Sequence, residues 1–443
     1  MYQDKVNQVS DFLIGALNRR EAIIGIVGMG YVGLPLALSY VEKEYNVIGI
    51  DIDPEKKPAI ESGRSYISHI PSARISRAVA TGRLEITDDF QRANKCDAII
   101  ICVPTPLTKH REPDLRFIIK AAESLSPYIR SGQIISLEST TYPGTTSEIL
   151  LPLIERQGLK VGKDIFLVFS PEREDPGNPD FETTTIPKVM GGDTPLCGDV
   201  GEALYKSVIN RVVRVSSTRA AELTKLLENI HRSVNIGLVN EIKLIADAMN
   251  IDIHEVINAA ATKPFGFVAY RPGPGLGGHC IPIDPFYLSW KAKEYGLQAK
   301  FIELAGEINS QMPNYVVRKI EKSLNSSRLS VSSAKILIIG VAYKKNIDDV
   351  RESPAISIIN QLVQAGASVS YADQYVDIKA INKHLQKKIN SVGSDLDTLG
   401  DFDCVVIVTD HDYFDYGKIL NDSLAVVDTR GVYDFREPKV IRA

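Results

Sequence analysis

A glycine-rich turn between two apolar runs is the feature that most constrains the fold of this chain. Residues 23–28 read IIGIVG, the turn at 28–33 reads GMGYVG, and residues 46–53 read NVIGIDID. Strand, turn, helix and strand at this spacing predict one βαβ unit. Helical stretches then alternate with apolar runs that predict strands at 98–103, 133–137, 165–169 and 211–215. Such alternation predicts an α/β fold whose doubly wound parallel sheet is covered by helices on both faces.

The rest of the chain predicts a long helix and a second, smaller α/β domain. Residues 217–250 contain no proline and carry apolar residues at helical spacing, so they predict a long central helix. A coil rich in glycine and proline follows at 265–285, and more helix runs to about residue 327. From residue 334 onward, four apolar runs again predict strands: AKILIIG, ASVSYAD, DCVVIVTD and LAVVDTR. We therefore expect two Rossmann-like doubly wound domains joined by a long central helix. The second domain lacks the glycine turn and should bind something other than a dinucleotide.

Composition and charge exclude several classes of partner. The 443 residues are 44% hydrophobic and 24% charged, as in a soluble globular protein, and the formal net charge of -4 gives no reason to expect nucleic acid. No run approaches the about 18 apolar residues of a membrane helix. The first twenty residues predict a short amphipathic helix rather than a secretory signal. We expect a cytoplasmic protein with no membrane partner.

The five cysteines are scattered along the chain, which argues against a disulfide framework or a structural metal site. No metal is therefore expected. Four of them, Cys96, Cys102, Cys197 and Cys404, are expected to be small buried residues. Cys280 differs because it stands in the loop GGHCIPIDP at 277–285.

The glycine turn predicts a dinucleotide site. Gly28 permits the tight turn, Gly30 lets the backbone approach a pyrophosphate, and Gly33 allows close packing of helix on strand. The N-terminus of the following helix offers N–H groups and partial positive charge to the phosphates. Asp51, at the end of the next strand, would accept hydrogen bonds from the ribose 2′-OH and repel a 2′-phosphate, so NAD is favoured over NADP. Asp53 is the alternative for this acid.

The loop around Cys280 predicts a chemical site. Two glycines leave room for a ligand beside the thiol, and a thiol with an ordinary pKa of about 8.5 needs nearby positive charge or a helix end to attack carbon. The alternative is a small buried residue. His279 is either a partner of Cys280 or an ordinary loop residue, and Asp284 either caps the loop or polarises a water. Lys225 and Asn229, at i and i+4, share one helix face, which is either catalytic or a solvated lysine face.

Several motifs in order carry a resemblance to a known family. They are the glycine turn, STTYPGT at 139–145, SPE at 170–172, the Lys225/Asn229 helix, GGHC, and YKKNIDDVRESP at 343–354. Together they resemble the UDP-glucose/GDP-mannose dehydrogenase family over nearly the whole chain after residue 20. The resemblance implies an N-terminal extension at 1–20, an NAD-binding Rossmann domain at 21–216, a central helical domain for dimerisation and the catalytic loop at 217–330, and a UDP-sugar-binding Rossmann-like domain at 331–443.

The resemblance also implies a role for each matching residue. Cys280 would be the nucleophile, and Lys225 and Asn229 would stabilise oxygen charge and hold the catalytic water. Thr140 and Asp284 would position or activate water, and Glu172 would act beside the thioester. The residues implied at the cofactor are Gly28, Gly30, Tyr31, Val32, Gly33, Asp51, Thr105, Thr140 and Arg351. Those implied at the substrate are Glu172, Arg173, Lys225, Asn229, Arg271, Gly277 and Lys344.

The implied reaction is a four-electron oxidation of a nucleotide sugar. The C6 hydroxyl would become a carboxylate through a thiohemiacetal and a thioester on Cys280, with two NADH per turnover. SPEREDPGN at 170–178 and GHCIPIDP differ from the UDP-glucose pattern and resemble the branch acting on UDP-N-acetylhexosamines. The segment SGRSYISHIP at 62–71 resembles enzymes acting on UDP-N-acetylglucosamine.

Other readings of the function stay open. The galactosamine and mannosamine epimers and UDP-glucose are alternative substrates for the same chemistry. A one-step hydroxyacid-type dehydrogenase would share the first fingerprint without needing the cysteine loop, and a non-catalytic NAD-binding regulator would need only the glycine turn. The resemblance further implies a homodimer or higher homo-oligomer and a place in polysaccharide biosynthesis.

Overall fold

The computed structural model describes residues 2–67, 70–108, 110–173, 184–393 and 395–443. The chain divides into two compact units, one made of Met1–Glu228 with Phe286–Leu297 and the other of Asn229–Pro285 with Gln298–Ala443. Each unit is built around one sheet. The domain boundaries at 20, 216 and 330 stay a prediction.

The first unit contains a sheet whose strand order is β3-β2-β1-β4-β5-β6-β7-β8. Its strands are β1 Ile23–Val27, β2 Asn46–Ile50, β3 Leu84–Thr87, β4 Ala98–Ile101, β5 Ile134–Leu137, β6 Phe166–Phe169, β7 Lys188–Gly192 and β8 Val212–Val215. Its helices are α1 Tyr2–Asn18, α2 Gly33–Glu42, α3 Lys56–Glu61, α4 Ser72–Ala80, α5 Arg116–Leu125, α6 Leu151–Glu155 and α7 Pro195–Lys206. The doubly wound order and the predicted strands are confirmed.

Alternate residues of the central strands face two separate apolar cores. Ile24, Ile26 and Ile100 lie in one core, whereas Ile99 and Ile101 lie in the other. Helices therefore cover both faces of the sheet, which is why the strands read as continuous apolar runs rather than as an alternating pattern. The predicted N-terminal helix is α1, and its Leu13 and Leu17 are buried in the first of these cores.

The expectation of a wholly parallel sheet is wrong at one strand. β7 pairs antiparallel with β6 and parallel with β8. The sequence did not predict β7, because its five residues, KVMGG, end in two glycines and form too short a run to stand out. The glycines are required here, since a Cβ on Gly191 would meet the carbonyl oxygen of Ser217.

The predicted central helix is α8, which runs from Thr218 to Ala248 over 31 residues. The division between the two units falls within it, after Glu228. The helices that follow are α9 Ile253–Ala260, α10 Asp284–Glu294 and α11 Lys300–Ser326. α9 was not predicted, although Asp252 caps it by accepting the N–H of His254. Among the described residues no helix is both long and apolar enough to cross a bilayer.

The second unit contains a smaller sheet, all parallel, with strand order β11-β10-β9-β12-β13-β14. The strands are β9 Lys335–Ile339, β10 Ser368–Ala372, β11 Asn390–Ser391, β12 Cys404–Ile407, β13 Val426–Asp428 and β14 Val440–Arg442. The helices between them are α12 Pro354–Gln364, α13 Ile378–Asn382 and α14 Tyr416–Asp422. Its order repeats that of the first six strands of the other sheet, which confirms the second doubly wound domain.

An acid also follows the second strand of this smaller sheet, but it is sealed from solvent. Asp373 accepts the N–H groups of Val341 at 2.8 Å and Ala342 at 3.3 Å. His411 lies over it with Nε2 at 3.0 Å, and both side chains are fully buried. Because Nδ1 of His411 accepts the N–H of Asn346, Nε2 carries the proton and donates it to Asp373. The pair fixes the loop after β9.

One lysine of α8 is buried in the second unit. Lys243 donates a hydrogen bond to the carbonyl oxygen of Ala443 and is 5% exposed. Burial lowers the pKa of Lys243 to about 7, and Asp428 opposes this effect. Between about pH 7 and pH 10 the unfolded chain therefore binds a proton that the folded chain does not, so the free energy of unfolding rises with pH across this window.

We expect Lys243→Met to remove this pH dependence. The unfolding free energy of the wild type minus that of the variant should rise by roughly 2 kcal/mol between pH 7 and pH 9, because the proton that the wild type gives up on folding is released at a lower cost as the pH rises. Chemical denaturation at the two pH values measures it. Lys322→Met is the control, since Lys322 is exposed. A difference for Lys243→Met that does not change with pH would contradict the expectation.

Candidate active site

The glycine turn has the geometry of a phosphate-binding turn. Gly28 has φ 92°, and a Cβ on it would meet the carbonyl oxygen of Cys102. A Cβ on Gly33, where α2 begins, would meet the carbonyl oxygen of Gly28. A Cβ on Gly30, in contrast, would have no heavy atom within 4 Å. Two glycines thus permit close packing, and the third leaves the backbone open to a ligand at the helix N-terminus.

Asp51 rather than Asp53 lies on this turn. Its Oδ2 accepts the N–H of Met29 at 2.6 Å, and its Oδ1 accepts the N–H of Asp53 at 2.9 Å. Asp53 instead accepts the N–H of Glu55 at 3.0 Å and is exposed. These residues fit NAD, since an open backbone turn and an acid at the next strand end stand together.

Two residues at the turn were missed by the sequence reasoning. Lys56 lies 2.7 Å from Oδ2 of Asp51, and Tyr66 donates a hydrogen bond to the carbonyl oxygen of Met29 at 2.5 Å. A lysine five residues after the acid was the available signal for Lys56. Tyr66 belongs to the segment at 62–71, which resembles enzymes acting on UDP-N-acetylglucosamine. In the structure, however, Tyr66 packs on the glycine turn. Residues 68–69 of that segment lie outside the described residues.

The remaining predicted cofactor residues of this unit lie near the turn or near the adjacent strand ends. Tyr31 is 39% exposed. Val32 lines a cavity with Glu172 and Lys188. Thr105 is buried, and its carbonyl oxygen accepts the hydroxyl of Tyr287 at 3.0 Å. α10 is thereby fixed to the segment after β4.

Lys225, on α8, is buried rather than solvated. Lys225 is 5% exposed, and its Nζ donates to the carbonyl oxygen of Glu172 at 2.6 Å. The carboxylate Oε2 of Glu172 lies 4.0 Å from the same nitrogen. The interpretation as a solvated lysine face is therefore wrong. A buried ammonium group beside a carboxylate can stabilise negative charge that develops on a nearby oxygen.

Arg173 is held by ion pairing in this unit. Its Nη2 lies 2.6 Å and its Nε 3.2 Å from the carboxylate of Glu228, and its Nη1 donates to the carbonyl oxygen of Pro187 at 2.5 Å. The bidentate pair ties the segment after β6 to α8. Residues 174–178 of the predicted specificity pattern lie outside the described residues.

In the second unit, the cysteine loop packs on the segment after β9. A Cβ on Gly277 or on Gly278, which has φ 90°, would meet the side chain of Tyr343. The N–H of Gly278 donates to the carbonyl oxygen of Arg351 at 2.9 Å. The structure thus brings together the predicted residues Gly277 and Arg351, and the two glycines are needed for close approach as well as for space beside the thiol.

Cys280 lies at the start of a helical turn that leads into α10. Its carbonyl oxygen accepts the N–H of Asp284 at 2.8 Å, and its side chain is half-buried. Nδ2 of Asn229 donates to Oδ2 of Asp284 at 2.5 Å, and both residues are buried. The other four cysteines are fully buried, as predicted. A partly accessible thiol close in the chain to a fixed carboxylate has the composition of a nucleophilic site.

This unit also contains Lys344 and Arg271, which were predicted at the substrate, and Arg351, which was predicted at the cofactor. Lys344 is half-buried in the loop after β9. Arg351 pairs with Asp349 at 2.6 Å. Arg271 is exposed and donates to Oδ1 of Asn258 at 2.5 Å.

Arg430 is a candidate that the sequence reasoning missed. Its Nε donates to the carbonyl oxygen of Val408 at 2.7 Å, and a Cβ on Gly273 would meet its Nη1 at 2.9 Å. It therefore lies against the glycine- and proline-rich coil. An arginine directly after a predicted strand, in DTRG, was the signal available.

Comparisons with known proteins point to one family. Three models of the UDP-glucose/GDP-mannose dehydrogenase family match in order, the NAD binding domain at residues 22–209, the central domain at 219–311 and the UDP binding domain at 337–435. The chain is 34% identical to a UDP-N-acetyl-D-glucosamine 6-dehydrogenase of Pseudomonas aeruginosa, over 89% of this chain and 92% of that protein.

Two further relatives carry names of different sugars. The chain is 33% identical to an NDP-N-acetyl-D-galactosaminuronic acid dehydrogenase of Ralstonia nicotianae, over 93% of this chain and 96% of that protein. The fold of this chain matches the structure of a UDP-D-ManNAc dehydrogenase from Pyrococcus horikoshii with a TM-score of 0.85 and 30% identity, over 95% of this chain and 98% of that one.

We expect Asp51→Ala to weaken NAD binding and to narrow the preference for NAD over NADP. The variant loses charged hydrogen bonds to the ribose, each of which contributes about 1.5–3 kcal/mol, and no longer repels a 2′-phosphate. The ratio of the dissociation constant for NADP to that for NAD, measured by calorimetry, should fall by about 10-fold or more. Asp53→Ala is the matched control and should bind both cofactors like the wild type. A larger effect at Asp53 would show that the ribose acid is misassigned.

Proposed function

Because this chain belongs to the UDP-glucose/GDP-mannose dehydrogenase family, whose models match its three parts in order, we propose that it oxidises C6 of a UDP-N-acetylhexosamine to the carboxylate. The proposed substrate is UDP-N-acetylglucosamine and the proposed product is the uronic acid nucleotide. The observation that carries the proposal is the Asn229–Asp284 pair beside the helical turn that begins at Cys280.

The chemistry explains why such an enzyme needs a thiol. NAD accepts one hydride from the sugar carbon at a time, so the step from alcohol to carboxylate needs two equivalents. Cys280 adds through sulfur to the aldehyde carbon left by the first oxidation and holds it as a thiohemiacetal. Loss of a second hydride from that carbon leaves a thioester on Cys280. The intermediate stays bound while the cofactor is exchanged, and no aldehyde is released.

The buried polar groups of α8 suit the charge that develops in these steps. Negative charge collects on the oxygen of the thiohemiacetal and again when water attacks the thioester. Lys225, a buried cation, and Asn229, a buried amide, are proposed as the donors to that oxygen. Removal of one such donor from an enzyme typically costs about 10²–10³ in rate.

Hydrolysis requires a positioned water and a place for its proton. Asp284 is proposed to accept this proton, because Asn229 fixes its carboxylate at 2.5 Å and both residues are buried. Thr140 and Glu172 are proposed to position the water. Glu172 also contacts Lys225, which keeps a cation beside its carboxylate. The carbon–sulfur bond then breaks, and the thiol of Cys280 is regenerated.

The choice of sugar rests on two kinds of sequence segment. SPEREDPGN at 170–178 and GHCIPIDP at 278–285 support a UDP-N-acetylhexosamine, and SGRSYISHIP at 62–71 supports UDP-N-acetylglucosamine. Relatives named for N-acetylglucosamine, N-acetylgalactosaminuronic acid and N-acetylmannosamine are about equally similar to this chain, so identity alone does not choose among them. All three sugars carry a 2-acetamido group, which the departure of SPEREDPGN from the UDP-glucose pattern supports. The epimers and UDP-glucose are the alternatives.

The remaining residues are assigned to binding. We propose that the smaller sheet binds the UDP-sugar, with Lys344, Arg271, Gly277 and Arg173 near the sugar or its phosphates, and that Arg351 contacts NAD. Arg173 would act through its pair with Glu228, which fixes the segment that meets the sugar. The proposed site of action is the cytoplasm.

We also propose that the protein is a homodimer that pairs through α8. This helix leaves a row of apolar side chains exposed, including Leu238 at 50%, Ile242 at 38% and Ile245 at 54%. Exposed apolar rows of this kind mark surfaces that another chain covers.

Light scattering should give twice the mass of one chain for the wild type. Ile245→Glu should halve the measured mass, while the circular dichroism spectrum of the variant stays that of the wild type. A monomeric wild type would contradict the proposal.

The stoichiometry of NADH tests the proposed reaction. With limiting UDP-N-acetylglucosamine and excess NAD, we expect two NADH per sugar and a uronic acid product, because the route passes through two hydride transfers. Cys280→Ala should still bind the UDP-sugar by calorimetry but lose this turnover, since nothing holds the aldehyde.

Other outcomes of this measurement would separate the alternatives. One NADH per sugar would mean that the enzyme stops at a carbonyl, as a one-step dehydrogenase does. Two equivalents from another epimer or from UDP-glucose, and none from UDP-N-acetylglucosamine, would overturn the substrate but keep the chemistry. Turnover of Cys280→Ala like that of the wild type would overturn the mechanism.

A further inference from the structure

A fully buried carboxylate on α8 stands apart from the residues assigned so far. Glu222 is 0% exposed and lies three residues before Lys225, which is one helical turn. An isolated buried carboxylate is costly, so its hydrogen bonds account for its presence. They all come from the loop after β5, which also contains Thr140.

Three donors converge on the two oxygens of Glu222. Oε2 accepts the N–H of Gly144 at 2.5 Å, and Oε1 accepts the N–H of Thr146 at 2.9 Å and its hydroxyl at 2.7 Å. Since each of these three hydrogen-bond partners of Glu222 donates, the ionised carboxylate is the form that fits. Burial raises the pKa of Glu222, and the bonds from Gly144 and Thr146 oppose this effect without cancelling it.

The loop itself has a conformation that needs such an anchor. Gly144 has φ 115°, where a side chain would be strained, and a Cβ there would meet the carboxylate of Glu148. A π-helical turn, Thr146–Leu150, follows and runs into α6. Single π-turns are rare and are found mostly at functional sites. The carboxylate of Glu222 caps the N-terminus of this turn, where negative charge is favourable.

The same stretch of α8 holds the neighbouring loop as well. Lys225 donates to the carbonyl oxygen of Glu172, in the segment after β6, at 2.6 Å. β5 and β6 are adjacent parallel strands, so the two loops leave the same edge of the sheet. Glu222 and Lys225 thus fix two loops to one rigid helix, and each loop contains a residue assigned to the water step.

We propose that Glu222 is a positioning residue for thioester hydrolysis, which holds the loop of Thr140 in register with Lys225 and Glu172. The inference rests on the proposed function. Glu222 does not touch the reacting atoms and acts through the loop. Its loss should therefore slow the attack of water more than either hydride transfer, while the binding of the UDP-sugar is preserved.

Glu222→Gln tests this inference. The amide keeps the size of the side chain but turns an N–H group toward one of the three donors, which displaces the loop. A displacement of about 1 Å can cost about 10²-fold in rate, so we expect kcat to fall by roughly that factor with little change in KM for the sugar. Acid quenching during turnover, followed by mass spectrometry of the intact chain, should detect the acyl group accumulated on Cys280.

A matched variant separates positioning from stability. Asp97 also accepts a backbone N–H, from Ile23 at 2.9 Å, and a bond from Arg130 at 2.8 Å, but at the opposite edge of the same sheet. Asp97→Asn should lower the melting temperature without accumulation of the acyl adduct. Thr146→Val removes one of the three bonds to Glu222 and should give a smaller fall in kcat with the adduct present.

The outcomes distinguish a failure of the role proposed for Glu222 from a failure of the proposed function. Glu222→Gln with the kcat of the wild type, or with a fall in kcat that tracks melting temperature and leaves no adduct, would overturn the role of Glu222. If Glu222→Gln does not fold, the absence of adduct in Thr146→Val would do so. A wild type that yields one NADH per sugar would overturn the proposed function, and this inference with it.

Discussion

The first turns of α8 hold in place the two loops on which the proposed chemistry depends. Parallel strands bring loops to one edge of a sheet, but they do not fix the loops against each other. Here Glu222 accepts three hydrogen bonds from the loop after β5, and Lys225 donates one to the loop after β6. The bonds to Glu222 are buried and the bond from Lys225 is partly buried, so water competes little for them, and a charged partner strengthens each one. The helix thus serves as a rigid reference for both loops.

Much of the fold could be predicted from the sequence because its strands are buried on both faces. Such strands read as apolar runs, and the glycine turn fixes the order of strand, helix and strand around it. α8 was predicted because it is long and contains no proline. β7 and α9 were not, because each is short, although Asp252 and the spacing of Ile253 and Ile257 gave α9 a cap and a helical pattern. The antiparallel pairing of β7 depends on where the chain returns to the sheet, which no local pattern records.

The candidate site was harder to predict because its contacts are distant in sequence. Periodicity alone placed Lys225 on a solvated face, yet its partner Glu172 lies 53 residues away and buries it. Glu222 and Gly144 are 78 residues apart. Likewise the partner that orients Arg173 is Glu228, 55 residues away. Residue types and ordered motifs indicated the chemistry, but only the fold could supply the partners that orient each group.

The two sheets use the acid after their second strand in opposite ways. In the first, Asp51 stands on an open glycine turn beside Lys56. In the second, Asp373 is fully buried under His411, and its remaining bonds come from the loop after β9 and from Tyr375 and Val376 after β10. One strand order thus serves twice within a single polypeptide, since the same acid position borders an open glycine turn in the first sheet and acts as an internal brace for two segments in the second.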